Sequence, residues 1–274
     1  MEYFDFPRYE VLSFEREVGN GVTNPLFMRC SNDLYVVKTL GNKDGPKVLI
    51  NEFVCYKLAK LMDLPIPDAA LVHINKEIID SSPKLIELGV RPGWHFGSRV
   101  IKKATTSIQP PMLKLIQNTE DIPSIILFDQ IIYNEDRTLN KGNLLLDLKE
   151  KKLLIIDHSH VFKIGALWDK TQLELINQDG LCLVKDFHGH NYKVLLKYVN
   201  GFNPFNKIMQ RIETISKVDL EWCFYEIPED WNLSNDDRNA LMDFLWYRIS
   251  NVNTFLSLLK DQCPDWKGGE INVN

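Results

Sequence analysis

The sequence lacks the features that mark disulfide-bonded, zinc-binding or nucleic-acid-binding proteins. Its five cysteines are an odd number, widely separated, and contain no C-x-x-C pair. This pattern argues against a disulfide framework and against a zinc site, and it predicts reduced thiols. The formal net charge of −5 provides no basic excess for contact with nucleic acid or an acidic membrane surface.

Membrane-spanning and targeting segments are also missing. No apolar run approaches the ~20 residues needed to cross a bilayer. The first residues, MEYFDFPRYE, lack a basic segment followed by an apolar one, so we expect no signal peptide. We therefore expect a cytoplasmic protein that binds neither membranes nor nucleic acid directly.

The remaining composition is that of an ordinary globular protein, with 274 residues of which 45% are hydrophobic. This length suits two small lobes that share a cleft. Strand-like segments dominate up to about residue 103, and helical patterns dominate afterwards. Residues 104–111 have the composition of a linker. The sequence therefore predicts an α+β protein with a strand-rich part, residues 1–103, and a mostly helical part, residues 104–274.

Polar residues are concentrated in one stretch, FDQIIYNEDRTLNKGNLLLDLKEKKLLIIDHSHVF, residues 128–162. An apolar helix leads into a polar loop, and two short apolar runs then predict a β-hairpin. Asp136 lies in the loop, Asn140 and Asn143 follow it, and Asp157 comes directly after the second strand. This order is typical of phosphoryl-transfer sites, in which the first aspartate acts as the base and the asparagine and second aspartate bind Mg²⁺.

Two residues of the first half fit the same chemistry. Lys38 ends an apolar, β-branched strand, and Glu52 lies within the helix predicted from Pro46 to Met62. Alone, each residue would be expected at the surface. A strand lysine followed by a helix glutamate is nevertheless the order of the kinase ion pair that directs the lysine toward the nucleotide phosphates.

With these motifs in view, the chain resembles the HipA-like kinase family and, more distantly, the phosphatidylinositol kinases and protein kinases. The resemblance runs from about Gly19 to Val161. The segments that carry it are YVVKTLGN, LINEFVCYKLAKLMDLPIPDAALV, PGWHFGSR, FDQIIYNEDRTLNKGNLLLD and LLIIDHSHVF. It implies a two-lobed protein-kinase-like fold that uses ATP and Mg²⁺, with Asp136, Lys38 and Glu52 in the catalytic machinery and Asp157 on the metal.

The asparagine ligand has two candidates. Many related kinases place it five residues after the catalytic aspartate, where this sequence has Lys141. Asn143 directly precedes the first hairpin strand and so should lie near Asp157, which makes it our choice, with Asn140 as the alternative. Arg137 corresponds to the arginine of the lipid-kinase D-R-H motif, and we expect it to position the loop or a phosphate, or to form a structural ion pair.

The nucleotide is expected to contact two further segments. The loop containing Gly19, Gly21 and Thr23 joins two predicted strands, and its backbone N–H groups would approach the phosphates. Backbone groups from Arg99 to Ile101 are the predicted adenine contacts.

The acceptor of the phosphoryl group is not encoded in a pattern that we recognise. A protein serine or threonine is the leading expectation, and a small-molecule hydroxyl is the alternative. A nucleotide-binding pseudokinase that acts as an interaction module is a further alternative, because the asparagine is displaced. A regulatory protein partner is consistent with the resemblance, which does not carry over a toxin role or an antitoxin partner.

Two motifs in the second half are expected to be unrelated to the site. The sequence Asp186-Phe187-His188-Gly189 superficially resembles the D-F-G of protein kinases but lacks glycine in third place. His188 and His190 alternate but have no nearby third ligand, so they do not predict a metal.

Residues 112–118 are expected to be helical, and residues 236–260 are expected to form one long amphipathic helix.

Related kinases can modify their own glycine loop, where this chain offers Thr23. We predict phosphorylation of Thr23 after prolonged incubation with ATP and Mg²⁺, detected as an added phosphate by mass spectrometry and missing in Thr23→Ala. An unmodified Thr23 under these conditions would count against self-phosphorylation.

Overall fold

The computed structural model describes residues 3, 5–19 and 24–268. The strands are β1 (Arg8–Glu17), β2 (Leu26–Cys30), β3 (Leu34–Lys38), β4 (Ala69–Ile74), β5 (Gly93–Arg99), β6 (Ala104–Thr105), β7 (Leu144–Asp147) and β8 (Lys152–Ile155). The α-helices are α1 (Lys47–Leu61), α2 (Lys76–Asp80), α3 (Pro83–Glu87), α4 (Pro110–Leu113), α5 (Ile122–Ile131), α6 (Asp136–Leu139), α7 (Lys170–Gln178), α8 (Tyr192–Leu195), α9 (Asn206–Ile212), α10 (Lys217–Trp222), α11 (Asn235–Ser250) and α12 (Val252–Lys260).

The first five strands form a closed barrel in the order β1-β2-β3-β5-β4. Neighbouring strands are antiparallel except at the closure, where β1 runs parallel to β4. Side chains that alternate along the strands fill the barrel with a small apolar core, which includes Val11, Met28, Val37 and Val72. The barrel presents Lys38 at the end of β3, opposite Phe96 of β5.

Helix α1 is buried on all sides, with 13 of its 15 residues buried. A surface helix would leave one polar stripe in water, so this helix is an internal element. Its polar side chains find partners instead: Lys57 donates to the backbone carbonyls of Trp222 and Tyr225, at 3.2 and 2.7 Å. Helix α1 therefore joins the barrel to the C-terminal helices and holds Glu52 inside the protein.

The predicted hairpin is confirmed as β7 and β8, and its register sets the position of the polar loop. Leu144 pairs with Ile155, so Asn143 and Ile156 lie opposite each other just beyond the ladder. The Ile156 N–H donates to the Asn143 carbonyl at 3.3 Å. The predicted linker is partly wrong, because Ala104 and Thr105 form strand β6 and pair with β7.

The larger hydrophobic core is continuous across residue 103. It combines residues of α1 and the outer barrel face, such as Phe53 and Phe96, with α5, the hairpin and the C-terminal helices. Helix α5 lies at its centre, since all ten of its residues are buried. The polar loop that follows α5 is thus attached to the most buried helix of the C-terminal half.

Two helix predictions are wrong. Residues 114–118 are not helical, because the Asn118 side chain bonds to the backbone N–H and carbonyl of Leu153 in β8, each at 2.9 Å. The predicted helix over residues 236–260 is broken at Asn251, whose φ of −107° and ψ of 27° are not helical. The Asn251 amide donates to the Tyr247 carbonyl at 2.8 Å, a local bond that competes with helix continuation.

The five cysteines all lie within the described residues. All five cysteines are unpaired, although Cys182 is exposed and so is not the core thiol expected. Across the described residues, no helix combines the length and apolarity that a membrane crossing requires.

Candidate active site

A buried cluster of charges joins β3, α1 and the segment after β8. The Lys38 ammonium contacts the Glu52 carboxylate and lies 2.5 Å from Asp157 Oδ1. It also donates to Ser159 Oγ at 3.1 Å. Lys38, Glu52 and Ser159 are buried, and the Asp157 side chain is about one-third exposed, at 32%. The predicted lysine–glutamate pair is therefore present, and the aspartate that follows the hairpin joins it.

Backbone geometry fixes the carboxylates of this cluster. Asp157 follows strand β8 and has a φ of +58°. Aspartate tolerates this left-handed conformation better than most residues do, and the chain turns here. The turn presents the His158 N–H to Glu52 Oε1 at 2.9 Å. Ser159 Oγ donates to Asp157 Oδ1 at 2.6 Å. Each carboxylate thus has a protein hydrogen bond besides the lysine.

Mutual attraction keeps these groups ionised. Burial alone would lower the pKa of Lys38, but Asp157 and Glu52 raise that pKa above its usual range. Burial opposes the ionised form of Asp157, yet Lys38 and the Ser159 hydrogen bonds lower the pKa of Asp157 well below its usual range. The pKa of Glu52 is likewise lowered, because Lys38 and the hydrogen bond from His158 outweigh the effect of burial. At neutral pH the cluster holds two carboxylates and one ammonium.

The polar loop brings both candidate asparagines to Asp136. Asn143 Nδ2 donates to Asp136 Oδ2 at 2.6 Å, while Asn140 Nδ2 is 3.4 Å from the same oxygen. Asn140 Oδ1 accepts from the Gly142 N–H at 2.9 Å. No donor to Asn143 Oδ1 is found among the described residues, and Asn143 lines a cavity.

Arg137 forms a buried ion pair, which is one of the roles that the sequence predicts for it. Its Nε donates to Asp129 Oδ1 of α5 at 2.9 Å, with both side chains fully buried. Its Nη1 group donates to the carbonyls of Asn143 and of Ile156, the latter at 3.1 Å. The guanidinium therefore ties the polar loop to the end of β8 and to helix α5, and its planar fork suits several acceptors at once.

A cavity of about 430 Å³ adjoins the charged cluster. Its volume is within the range typical of small-molecule sites. Its wall combines polar side chains with apolar ones from the barrel and the hairpin. The polar lining residues include Lys38, Glu52, Arg99, Asn140, Asn143, Asp157 and His158, and the apolar ones include Val18, Phe27, Val36, Ile66, Phe96, Ile101, Leu145 and Ile155. Asp136 does not line the cavity, but it accepts a hydrogen bond from Asn143, which does.

The other predicted nucleotide contacts are only partly described. Gly21 and Thr23 lie outside the described residues. Gly19 has a φ of +82°, which favours glycine, and follows Val18 of the cavity wall. Arg99 and Ile101 line the cavity, but the Arg99 and Val100 N–H groups donate to the carbonyls of Asp68 and Leu34. Within the described part of the chain, the Ile101 N–H has no backbone acceptor.

The side-chain oxygen atoms of Asp157 and Asn143 suit a hard cation such as Mg²⁺. Lys38 and Ser159 bond to Asp157 Oδ1, and no donor to Asp157 Oδ2 is found in the described ranges. Asn143 Oδ1 is similarly available. Mg²⁺ binds few protein oxygens and completes its shell with phosphate and water. Among the described residues, no group of three or more His, Cys, Asp or Glu is arranged to hold a metal ion on its own.

Two residues at the site are missing from the sequence predictions. Ser159 bridges Lys38 and Asp157, and Asn51 of α1 donates to the carbonyls of Ser159 and Gly165, at 2.8 and 3.1 Å. Asn51 also accepts from Trp168 Nε1 at 2.8 Å. Asparagine is a poor residue for a helix interior, so its position beside Glu52 was a usable signal. The sequence gives no such signal for Ser159, because a serine after a turn is common.

Comparisons with known proteins agree with this architecture. Residues 11–259 match the HipA-like kinase family, and the chain belongs to that family. The proinflammatory kinase CtkA from Helicobacter pylori is 12% identical, with a TM-score of 0.52 over 93% of this chain and 99% of that chain. No curated protein sequence matches the chain significantly.

Two further solved structures are similar at a lower level. HipA from the Shewanella oneidensis toxin–antitoxin system, solved with HipB and operator DNA, is 14% identical, with a TM-score of 0.45 over 97% of this chain and 70% of that chain. Choline kinase LicA from Streptococcus pneumoniae is 14% identical, with a TM-score of 0.28 over 86% of this chain and 94% of that chain. Both TM-scores are too low to support an inference.

The predicted family and the mixed helix-and-strand fold are thus confirmed. The similarity to CtkA, at 12% identity, concerns the fold alone. Membership of the HipA-like kinase family supports phosphotransferase activity.

Glu52→Gln should lower the free energy of unfolding at pH 7 by about 1–3 kcal/mol, because it removes one anion from a buried ammonium. The pKa of Glu52 is lowered in the folded state, so its contribution is present above the unfolded pKa, about 4.3, and is lost as the pH falls. Urea unfolding of both proteins from pH 7 to pH 3 should show the difference shrinking. A difference independent of pH would contradict an ionised Glu52.

Proposed function

We propose that this protein is an ATP- and Mg²⁺-dependent kinase that transfers the γ-phosphoryl group to a hydroxyl of a protein serine or threonine. The observation that carries the proposal is the buried contact of Lys38 with Glu52 and Asp157, three residues that line a cavity of about 430 Å³. A lysine and two carboxylates positioned by three separate elements form the arrangement that phosphoryl transfer requires.

The nucleotide would lie along the cavity with its base near Ile101 and its phosphates toward Lys38. The Ile101 backbone N–H has no backbone acceptor among the described residues and is available for a base nitrogen, so we propose Ile101 as the adenine contact. Lys38 would neutralise phosphate charge while Glu52 holds the ammonium in place. The glycine loop that begins at Gly19 would cover the phosphates with its backbone N–H groups.

The metal and the acceptor would meet beside Asp157 and the loop that contains Asp136 and Asn143. Asp157 Oδ2 and Asn143 Oδ1 are the proposed Mg²⁺ ligands, and the bonded Asn140 Oδ1 makes Asn140 the weaker choice. The ion would screen the charge of the phosphates. Asp136 would orient the attacking hydroxyl and accept its proton, and the 2.6 Å bond from Asn143 fixes the Asp136 carboxylate beside the metal ligands.

The overall layout that we propose is two-lobed, with residues 1–103 as the N-lobe and residues 104–274 as the C-lobe around the nucleotide. The barrel with α1 and the helices after α4 support this division, and the cavity is lined from both. A cytoplasmic location is supported by the five unpaired cysteines.

The proposal is tested by measuring Mg²⁺–ATP binding by calorimetry and γ-phosphate transfer in the same sample, for wild type and Asp136→Ala. We expect both proteins to bind ATP, because Asp136 is not in the cavity wall. Transfer should fall by about 100-fold or more in the variant, since the base is lost.

Three results would differ from this expectation. Binding without transfer in the wild type, across protein and small-molecule acceptors, would favour a pseudokinase. Transfer to small molecules alone would replace the proposed acceptor class. A folded wild-type protein that binds no ATP would contradict the nucleotide site itself.

A further inference from the structure

The segment of residues 184–192, here called the buttress, packs against the catalytic loop, residues 134–143. The buttress contains the D-F-H-G-H sequence that superficially resembles kinase and metal motifs. Val184 N–H donates to Gln130 Oε1 of α5 at 3.0 Å, and the Tyr192 hydroxyl donates to Asp129 Oδ2 at 3.0 Å. The buttress is therefore fixed at both ends to the helix that precedes the loop.

Asn191 is the buttress residue with the most contacts to the loop. Its Nδ2 donates to the carbonyls of Arg137 and Asn140, at 2.8 Å each, and its backbone N–H donates to the Thr138 carbonyl at 3.2 Å. These carbonyls belong to the four-residue helix α6 and to the residue that follows it. The last carbonyls of a helix lack intrahelical donors, so a side chain that supplies them holds the helix end in place.

Gly189 allows the buttress to approach this closely. A Cβ atom at residue 189 would lie 2.4 Å from the Thr138 carbonyl oxygen, a backbone atom that cannot move without shifting the loop. The buttress and the loop are thus in contact at two places: through the backbone at Gly189 and Thr138, and through the Asn191 amide.

The loop so held carries Asp136 at its helical turn and Asn140 and Asn143 after it. Within the described residues, no hydrogen bond joins the buttress to Lys38, Glu52 or Asp157. We propose that Asn191 is a positioning residue that fixes Asp136 for the attacking hydroxyl without contributing to nucleotide binding; this inference rests on the kinase function proposed above. Misplacement of a reacting group by about 1 Å is enough to slow a reaction about 100-fold.

Asn191→Asp is the sharpest test, because it keeps the shape but replaces Nδ2, the donor to both carbonyls, with a carboxylate oxygen. Asn200→Asp is the matched control, since the exposed Asn200 amide donates to the nearby Lys197 carbonyl, at 3.0 Å, and to no other acceptor in the described part of the chain. Gly189→Ala is a second variant that displaces the loop while leaving the Asn191 amide intact.

Each protein is measured in three ways: amide hydrogen exchange of peptides covering residues 134–143, ATP affinity with a chelator in place of Mg²⁺, and slow ATP hydrolysis with Mg²⁺ and water as the acceptor. We expect Asn191→Asp and Gly189→Ala to exchange faster in these peptides and to hydrolyse ATP about 10- to 100-fold more slowly. Their ATP affinity should stay within about twofold of wild type, as should every property of Asn200→Asp.

Unchanged exchange in residues 134–143 for both variants would overturn the inference, as would a loss of ATP affinity as large as the loss of rate. A wild-type protein that binds no ATP would contradict the proposed function instead. In that case, the exchange rates still determine whether Asn191 holds the loop.

Discussion

The buried ammonium of Lys38 is the constraint on which the rest of this structure depends. A charge removed from water is tolerated only with close partners of opposite sign. Those partners, Glu52 and Asp157, are distant in sequence and reach Lys38 only if α1 packs beside the barrel and β8 ends beside both. The ion cluster therefore requires the barrel, the helix and the hairpin to be assembled together.

A second buried charge organises the catalytic loop. Arg137 is more deeply buried than Lys38, and it contacts Asp129 and backbone carbonyls and does not line the cavity. Arginine suits this structural task, because its guanidinium stays protonated and supplies five fixed donors. The two cations thus differ in role: Lys38 faces the cavity, and Arg137 stabilises the scaffold behind it.

The parts of the site that depend on local pattern could be predicted from the sequence. Lys38 and Glu52 were identified from their order on a strand and a helix, and Asn143 was preferred over Asn140 because it directly precedes a hairpin strand. The geometry fits that preference, since Asn143 is buried beside Asp136 and its Oδ1 lacks a donor among the described residues. Its role as a metal ligand stays a prediction.

Contacts between distant segments were not predictable. Asn191 and Ser159 are ordinary loop residues in the sequence, and their importance comes from partners 51 and 121 positions away. The break at Asn251 was missed because apolar residues continue at helical spacing beyond it. Strand β6 was missed because two residues are too few for a periodic signal, and only pairing with β7 defines it.

The central claim is that the Lys38 cluster is a site for nucleotide phosphates and their metal. It is tested most directly by ATP affinity with Mg²⁺ and with a chelator, for wild type and Asp157→Asn. We expect Mg²⁺ to strengthen ATP binding in the wild type and to have little effect in the variant, because the Asp157 side chain is 32% exposed against 5% for Glu52 and its Oδ2 has no protein donor among the described residues. An equal Mg²⁺ effect in both proteins would contradict the account.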